Sequence, residues 1–520
     1  MKRFLLRLLL ALGVGLLALY PIYLAGGNWY LHHRGLDRLI NRRPERMRVT
    51  WKSAWTPWPG VVHVKGFEMR SQSRVFQWWL AVDRGTVELD VLGLRDRRFL
   101  VSGLHGSGAR FRLRRRLDVP PRSRPARPDF YPPIPGFANP PDPKPEAIYP
   151  RGPRRKPWHV RFSGVELDDV REVWIEEYRF AGTARVAGGF DLFVRERLEI
   201  DPTRLEVASG GLTLGAGPKA IPVLLDARGR IDGRVTPFSP ARFKGWDVFR
   251  FASGRGDVDG RVKSLDFLDV LFQQTRWVDL EVGPGRLAAN LRIQRGQILA
   301  GSRLEARPDG IAVGFLDYRV KGNGAALWEV APVGENLEGR LSLAFDDFRL
   351  QRRGFARPHV RGRDLRITAA SEAPRLGSWF VPKRFAIDMP DAEVPDLRFY
   401  NAYLPQKSGL ALTSGAGRMS GRFAAAAPDW KGSGEMRLSA RGVGALFDGR
   451  RMRGNLSLRT RLLRADLDAK DFDISGTDFE LTDVRLLSSP IPGPLPPPWW
   501  ARAHLDHAVI TPGEPVFLRA

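Results

Sequence analysis

The sequence predicts a mostly β protein: an N-terminal transmembrane helix followed by a long curved antiparallel β-sheet, folded as a repeating β-groove with few short helices. Three observations predict it. One long uncharged apolar run lies near the N-terminus, short glycine-punctuated runs alternate apolar and polar residues from Val49 almost to the end, and amphipathic helical periodicity is scarce. At 520 residues with 43% hydrophobic side chains, the chain can bury a sizeable core, so disorder is not the default.

Residues 1–48 are expected to be a membrane anchor with a juxtamembrane helix. MKRFLLR precedes Leu8–Ala25, which carries no charge. Leu8, Leu12, Leu16, Leu19 and Leu24 are its candidate anchor residues, and about 18 apolar residues suffice to cross a hydrocarbon core of roughly 30 Å. A cleaved signal peptide is the competing assignment, but Tyr23 and Leu24 stand where cleavage wants small side chains. Leu31 to Arg43 continues as an interfacial helix with Leu36, Leu39 and Ile40 on one face, until Pro44 ends it. Lys2, Arg3 and Arg7 are outnumbered by Arg34, Arg38, Arg42, Arg43, Arg46 and Arg48, so the positive-inside rule alone leaves the body in the cytoplasm.

Residues 49–117 form the membrane-proximal β region. Trp51, Trp55 and Trp58 suit either a headgroup layer or packing at the first turn of a sheet. Trp78, Leu80 and Val82 share one parity, and Val87, Leu89 and Val91 share another beyond Gly85. RFRLRRR places Phe111 and Leu113 on one face and Arg110, Arg112, Arg114 and Arg115 off it. Trp78, Leu80, Val82, Phe111 and Leu113 are candidate groove lining and the four arginines candidate headgroup contacts, a solvated strand face being the plain alternative. Residues 118–157 hold 14 prolines in 40 positions and read as a linker or insertion in polyproline II.

Residues 158–520 are expected to be the repeating β-groove body. In GRLAANLRIQRGQILAGSRLEARP, Leu287, Ala289, Leu291 and Ile293 alternate up to a turn at Gln294–Gln297, and Ile298, Ala300, Ser302 and Leu304 alternate on the way back. Leu287, Leu291, Ile293, Ile298 and Leu304 are further candidate groove residues. Helices are predicted only at Ser264–Thr275 and Asp396–Tyr403. About 25 to 30 strands therefore share one alternating pattern, and their apolar face must be covered by a second sheet, by closure or by an apolar ligand.

Chemistry is sparse. There is no cysteine, which excludes disulfides and thiolate metal sites, and the eight histidines are scattered without HExxH or GxSxG. His504 and His507 flank Asp506 at an i, i+3 spacing that an alternating strand sends to opposite faces. ADLDAKDFD lacks the glycine and glutamate of a calcium loop, and GAGRMSG misses the dinucleotide spacing by one residue. No catalytic cluster, metal site or cofactor is expected. The formal charge of +26 concentrates in residues 1–157, where 30 basic and 11 acidic side chains give +19, leaving +7 for the other 363. Such a field beside an apolar anchor suits an anionic lipid surface, not nucleic acid.

The anchor followed by VTWKSAWTPWPGVVHVKGF, the strand RFRLRRR, the proline segment, VELDDVREVWIEEYRFAGTARVAGGF, VGPGRLAANLRIQRGQILAGSRLEARP and DAKDFDISGTDFELTDVRL together resemble bacterial AsmA-like envelope proteins. The resemblance implies a single-pass inner-membrane protein with its body in the periplasm. It also implies a β-groove that carries phospholipid between inner and outer membranes, against the local arginine count. An outer-membrane or periplasmic protein meeting the C-terminal end, where HLDHAVITPGEPVFLRA has no evident closing element, would complete the path. The alternative is a scaffold or assembly factor for envelope biogenesis with a closed β core.

Overall fold

A computed structural model describes residues 19–32, 41, 44–45, 47–72, 76–115, 130–138, 157–193, 196–240, 242–243, 245–263, 278–315, 317–355, 357–372, 374–376, 381–404, 409–467, 471–487, 496–510 and 517–518. The protein is mostly β, and the 29 strands among the described residues belong to one large sheet. It divides into two compact units: Met1–Arg261 with Arg292–Gly296, and Val262–Leu291 with Gln297–Ala520. The division falls inside the stretch expected to be one body, not at the proline segment.

In the first unit the strands are β1 (Met47–Thr50), β2 (Ser53–Trp58), β3 (Val61–Gln72), β4 (Phe76–Leu89), β5 (Arg98–Ser107), β6 (Ala109–Arg115), β7 (His159–Ile175), β8 (Tyr178–Phe193), β9 (Arg197–Leu214), β10 (Ile221–Phe238) and β11 (Ala252–Val262). Both β1 and β2 pair with β3, and β4 pairs with β3, then with β5 along one half and β6 along the other. From β7 to β11 each strand pairs with the next, antiparallel. The sheet departs from antiparallel order where β5 and β6 meet β7, which runs parallel to both. A parallel partner cannot be reached by a tight turn and needs a crossover of a dozen or more residues. The connection between β6, which ends at Arg115, and β7, which starts at His159, is long enough for that crossover and contains the proline stretch.

The second unit opens with β12 (Val278–Val282) and β13 (Gly285–Gln294), the last residues of which, from Arg292 on, are counted with the first unit. Arg295 (φ 48°) and Gly296 (φ 77°) make the turn expected at Gln294–Gln297, with the two positive φ angles of a type I′ turn. The predicted return strand is broken, however. β14 is only Gln297–Ile298, Gly301 (φ 79°) turns the chain, and β15 (Arg303–Pro308) is the strand that pairs with β13. There follow β16 (Ile311–Phe315), β17 (Tyr318–Val333), β18 (Asn336–Arg352), β19 (Val360–Glu372), β20 (Arg384–Val394), β21 (Leu410–Ser414), β22 (Gly417–Ala426), β23 (Lys431–Phe447) and β24 (Arg450–Asp466). The chain closes with β25 (Asp471–Asp473), β26 (Thr477–Leu486), β27 (Trp499–Leu505), β28 (Ala508–Ile510) and β29 (Phe517–Leu518).

Helices are few. Leu397–Tyr403 is a short 3-10 helix where helix was predicted, capped by the Asp396 carboxylate accepting from the Arg398 N–H. Ser264–Thr275 lies outside the described residues. So do Leu8, Leu12, Leu16 and the interfacial residues Leu36, Leu39 and Ile40. Residues 19–32 are helical, but among the described residues no helix is long and apolar enough to cross a membrane. That helix docks on β2: the Asn28 amide donates to the Thr56 carbonyl at 3.0 Å and accepts from the Thr56 N–H at 2.8 Å, and Tyr23 Oη meets Thr56 Oγ1 at 2.6 Å.

The long strands share one device. A strand alternates faces with period two, so residues three apart should diverge. In each unit, buried or half-buried apolar residues instead recur at i and i+3 around an irregularity: Leu167 and Val170, Leu224 and Ala227, Phe345 and Phe348, Ala440 and Val443, Leu481 and Val484. Asp226 (φ 51°), Asp364 (φ 59°), Gly442 (φ 62°) and Asp483 (φ 49°) occupy left-handed backbone at these points. One residue out of the pleat bends the strand and resets its parity, and glycine or aspartate tolerates the conformation best. The core follows this crease: Val82, Ala109, Val170 and Ala184 form its buried centre in the first unit. Replacing Asp364 with glycine should leave stability within a few tenths of a kcal/mol, whereas Asp364→Val should cost about 1–2 kcal/mol in urea unfolding. Equal stability of both variants would show that the left-handed residue does not set the crease.

Candidate functional site

The residues flanking the crease in the first unit build two unlike surfaces. On one face, cross-strand register aligns apolar rows. Trp78 opposes Leu113, which opposes Ile175, Tyr178, Leu214 and Ile221 in turn. The next row runs from Met69 through Leu80, Phe111, Val173, Phe180 and Leu212 to Leu224. Across the crease the parity changes and a further row runs from Val64 through Gly85, Gly106, Leu167, Val186 and Leu205 to Ile231. Leu80 and Phe67 on one side and Leu167, Val186 and Leu205 on the other pack against the same buried centre, so the rows share one face. Most of these side chains stay half-buried, and Ile175, Tyr178, Ile221 and Ile231 remain 40–49% exposed.

The structure therefore gathers Trp78, Leu80, Val82, Phe111 and Leu113 into one patch. The candidates of the second unit are placed differently. Leu287 opposes Ala306, and Leu304 continues a row through Trp328, Leu341, Ala369 and Phe385 to Ala425. That face is more closed, with Phe345, Phe348, Leu343, Ile367 and Phe385 at 1–6% exposure and the rings of Phe315 and Phe385 stacked at 5.7 Å. Leu291 and Ile293 are half-buried on β13, while Ile298 is buried apart from Leu304 and donates its N–H to the Pro374 carbonyl.

On the opposite face the arginines meet partners within the chain. Trp79, Arg112, Trp174 and Arg179 oppose one another across β4, β6, β7 and β8. Arg112 lies 5.1 Å from the Trp79 ring and 5.8 Å from that of Trp174, and Arg179 lies 5.5 Å from Trp174. Glu172, nearly buried, takes Arg112 Nε at 2.6 Å and Arg179 Nη2 at 2.9 Å. Residues 130–138 of the proline segment lie on this ladder. Arg114, 1% exposed, donates to Gln77 Oε1 (2.9 Å) and to the carbonyls of Pro132 (3.0 Å) and Ala138 (2.5 Å). Arg112 donates to Pro133 O, Arg70 to Pro135 O and Trp174 Nε1 to Phe130 O, while Ile134 is buried against Trp79 and Ala81.

The physical reason is donor arithmetic. A polyproline segment has few N–H groups and no internal hydrogen bonds, so it presents carbonyls that need outside donors. A guanidinium offers five donors and no acceptor. Arg112 and Arg114 thus donate to the chain itself, and Arg110 pairs with Asp83 at 3.3 Å. The side chain of Arg115 lies outside the described residues. Arginine at every second position, shortly before an acceptor-only segment, was the signal available in sequence.

Around the helix at residues 19–32, Leu19, Ile22, Trp29, Trp55 and Trp58 are 52–66% exposed, and the Tyr20 and Trp58 rings lie 4.6 Å apart. Leu24 is half-buried. Among the described residues no group of three His, Asp or Glu side chains could hold a metal ion, and His504 bonds to Asp478 at 2.8 Å. Arg114→Met should cost about 2–3 kcal/mol or more, because it leaves two buried acceptors, Gln77 Oε1 and the Pro132 carbonyl, without their donor. Arg110→Gln, at an exposed pair, should cost under about 1 kcal/mol. Protease cleavage within 130–138 should rise only in the first variant, and no difference between the two would remove the docking role. Searches against protein-family models, curated proteins and solved structures return no match to this chain.

Proposed function

We propose that the protein carries phospholipid acyl chains on the apolar face of its first unit, as a periplasmic body anchored in the inner membrane and serving transfer between inner and outer membranes. The observation that supports this reading is the set of aligned apolar rows whose side chains mostly stay half-buried, with Ile175, Tyr178, Ile221 and Ile231 exposed. Exposed apolar area of this extent on a monomer signals a ligand or partner. From Trp78 to Val87 the face follows about 30 Å of strand, roughly twice the hydrocarbon depth of one leaflet. Each acyl methylene it shields from water is worth about 0.8 kcal/mol, so even a partly covered chain is held without a polar pocket. Direction would come from the two membranes or from a protein at the C-terminal end, and no catalytic step is required.

The residues 19–32 helix, with Trp29, Trp55 and Trp58 around it, suits a boundary between hydrocarbon and headgroups. The closed face of the second unit favours the scaffold reading for that half, in which a packed core supports protein contacts. Photo-reactive side chains placed at Leu80 and Phe111 should crosslink phospholipid in cells and in the purified protein. Phospholipid should also be found by mass spectrometry in the wild type and fall severalfold in Leu80→Arg. Lipid-free protein with no crosslink at either position would overturn the transfer reading.

A further inference from the structure

The polar face of the first unit, on the far side of the sheet from the apolar rows, holds a cleft of about 460 Å³ on β2 to β5 and β7. Two cross-strand rows build it. In one, Ser53 opposes Lys65, Lys65 opposes Arg84 and Arg84 opposes Ser107. In the next, Trp55 opposes His63, His63 opposes Thr86, Thr86 opposes His105 and His105 opposes Glu166. Lys65 and Arg84 are therefore like charges directly opposite one another, an arrangement that destabilises a sheet. Both are exposed, and neither has a carboxylate partner among the described residues. The nearby carboxylates have other partners: Glu166 pairs with the lining His105 at 3.1 Å, and Asp168, which also lines the cleft, with Arg185 at 3.0 Å. His63 is held in place by Thr86 Oγ1 at 2.8 Å and by stacking on Trp55 at 4.6 Å.

We infer that this cleft is a phosphate-binding site. Two free cations brought together at cross-strand distance, flanked by the hydroxyls of Ser53 and Ser107 and by an imidazole edge, match a tetrahedral dianion or a phosphodiester. A bound phosphate turns a repulsive pair into a bridged one and so offsets the local cost of two like charges. The cleft shares β2 with the docking site of the 19–32 helix, and the group is either a lipid headgroup's phosphate or a free phosphate. The site goes beyond the acyl-carrying reading and does not depend on it.

The test uses the full chain in a non-ionic maltoside detergent, titrated with sodium phosphate, with dihexanoyl phosphatidylglycerol and with sodium chloride at matched ionic strength, reading Tm. Phosphate or the short lipid should raise Tm by several degrees more than chloride. Lys65→Gln/Arg84→Gln should start from a higher Tm and lose the response, and Lys65→Gln alone should need about tenfold more ligand, guarding against misfolding of the double variant. Leu80→Arg, on the other face, should keep the response, which separates this site from the transfer reading. A response to the lipid alone assigns the headgroup, and a response to sodium phosphate shows that the free ion suffices. No response beyond chloride, or an undiminished response in the double variant, would overturn the inference.

Discussion

The structure depends on keeping one sheet face apolar along strands of up to 18 residues, far beyond the usual five or six. A strand that long twists, and strict alternation cannot present the same side to one core throughout. The crease solves this by spending one residue per strand on a left-handed or bulged conformation. Because the irregularities fall in neighbouring strands, their distortions reinforce one another, and the most buried side chains collect beside them. Stability and face continuity therefore come from the same positions.

A second dependence is the match between arginines and proline carbonyls. The parallel step from β6 to β7 requires a long connection, and a long connection over a sheet exposes backbone that must find partners. Filling it with proline removes donors, and the ladder Trp79, Arg112, Trp174 supplies the missing donors, with Trp79 also forming an apolar seat for Ile134. The proline segment engages Arg70, Arg112 and Arg114, three of the 30 basic residues in 1–157. The use of a local basic excess is ambiguous until the acceptors are known.

Much of the architecture was legible from alternation alone: the abundance of strands, the turn at Arg295 and Gly296, and the capped short helix after Asp396. What was not legible has a common cause. Periodicity reports which residues share a face only while the pleat is regular, so Leu224 with Ala227, or Phe345 with Phe348, looked like residues of opposite faces. The pattern apolar, any residue, aspartate or glycine, apolar was present in the chain and carries the crease. Parallel pairing left no trace in periodicity, because strands of either direction alternate alike. The Lys65 and Arg84 pair could not be seen either, since register between β3 and β4 decides it.

The crossover also has a consequence for how the first unit assembles. Apart from it, the described strands from β2 to β11 pair with neighbours close in sequence, so β1–β6 and β7–β11 can each grow by local steps. Joining them requires closing a loop over residues 116–158, an entropic cost of about 3 kcal/mol before any contact offsets it. The side chains that offset it are those that hold residues 130–138. The proline segment thereby sets the slow, non-local step of an otherwise local fold, and two meanders become one unit only once the chain between them has been bound.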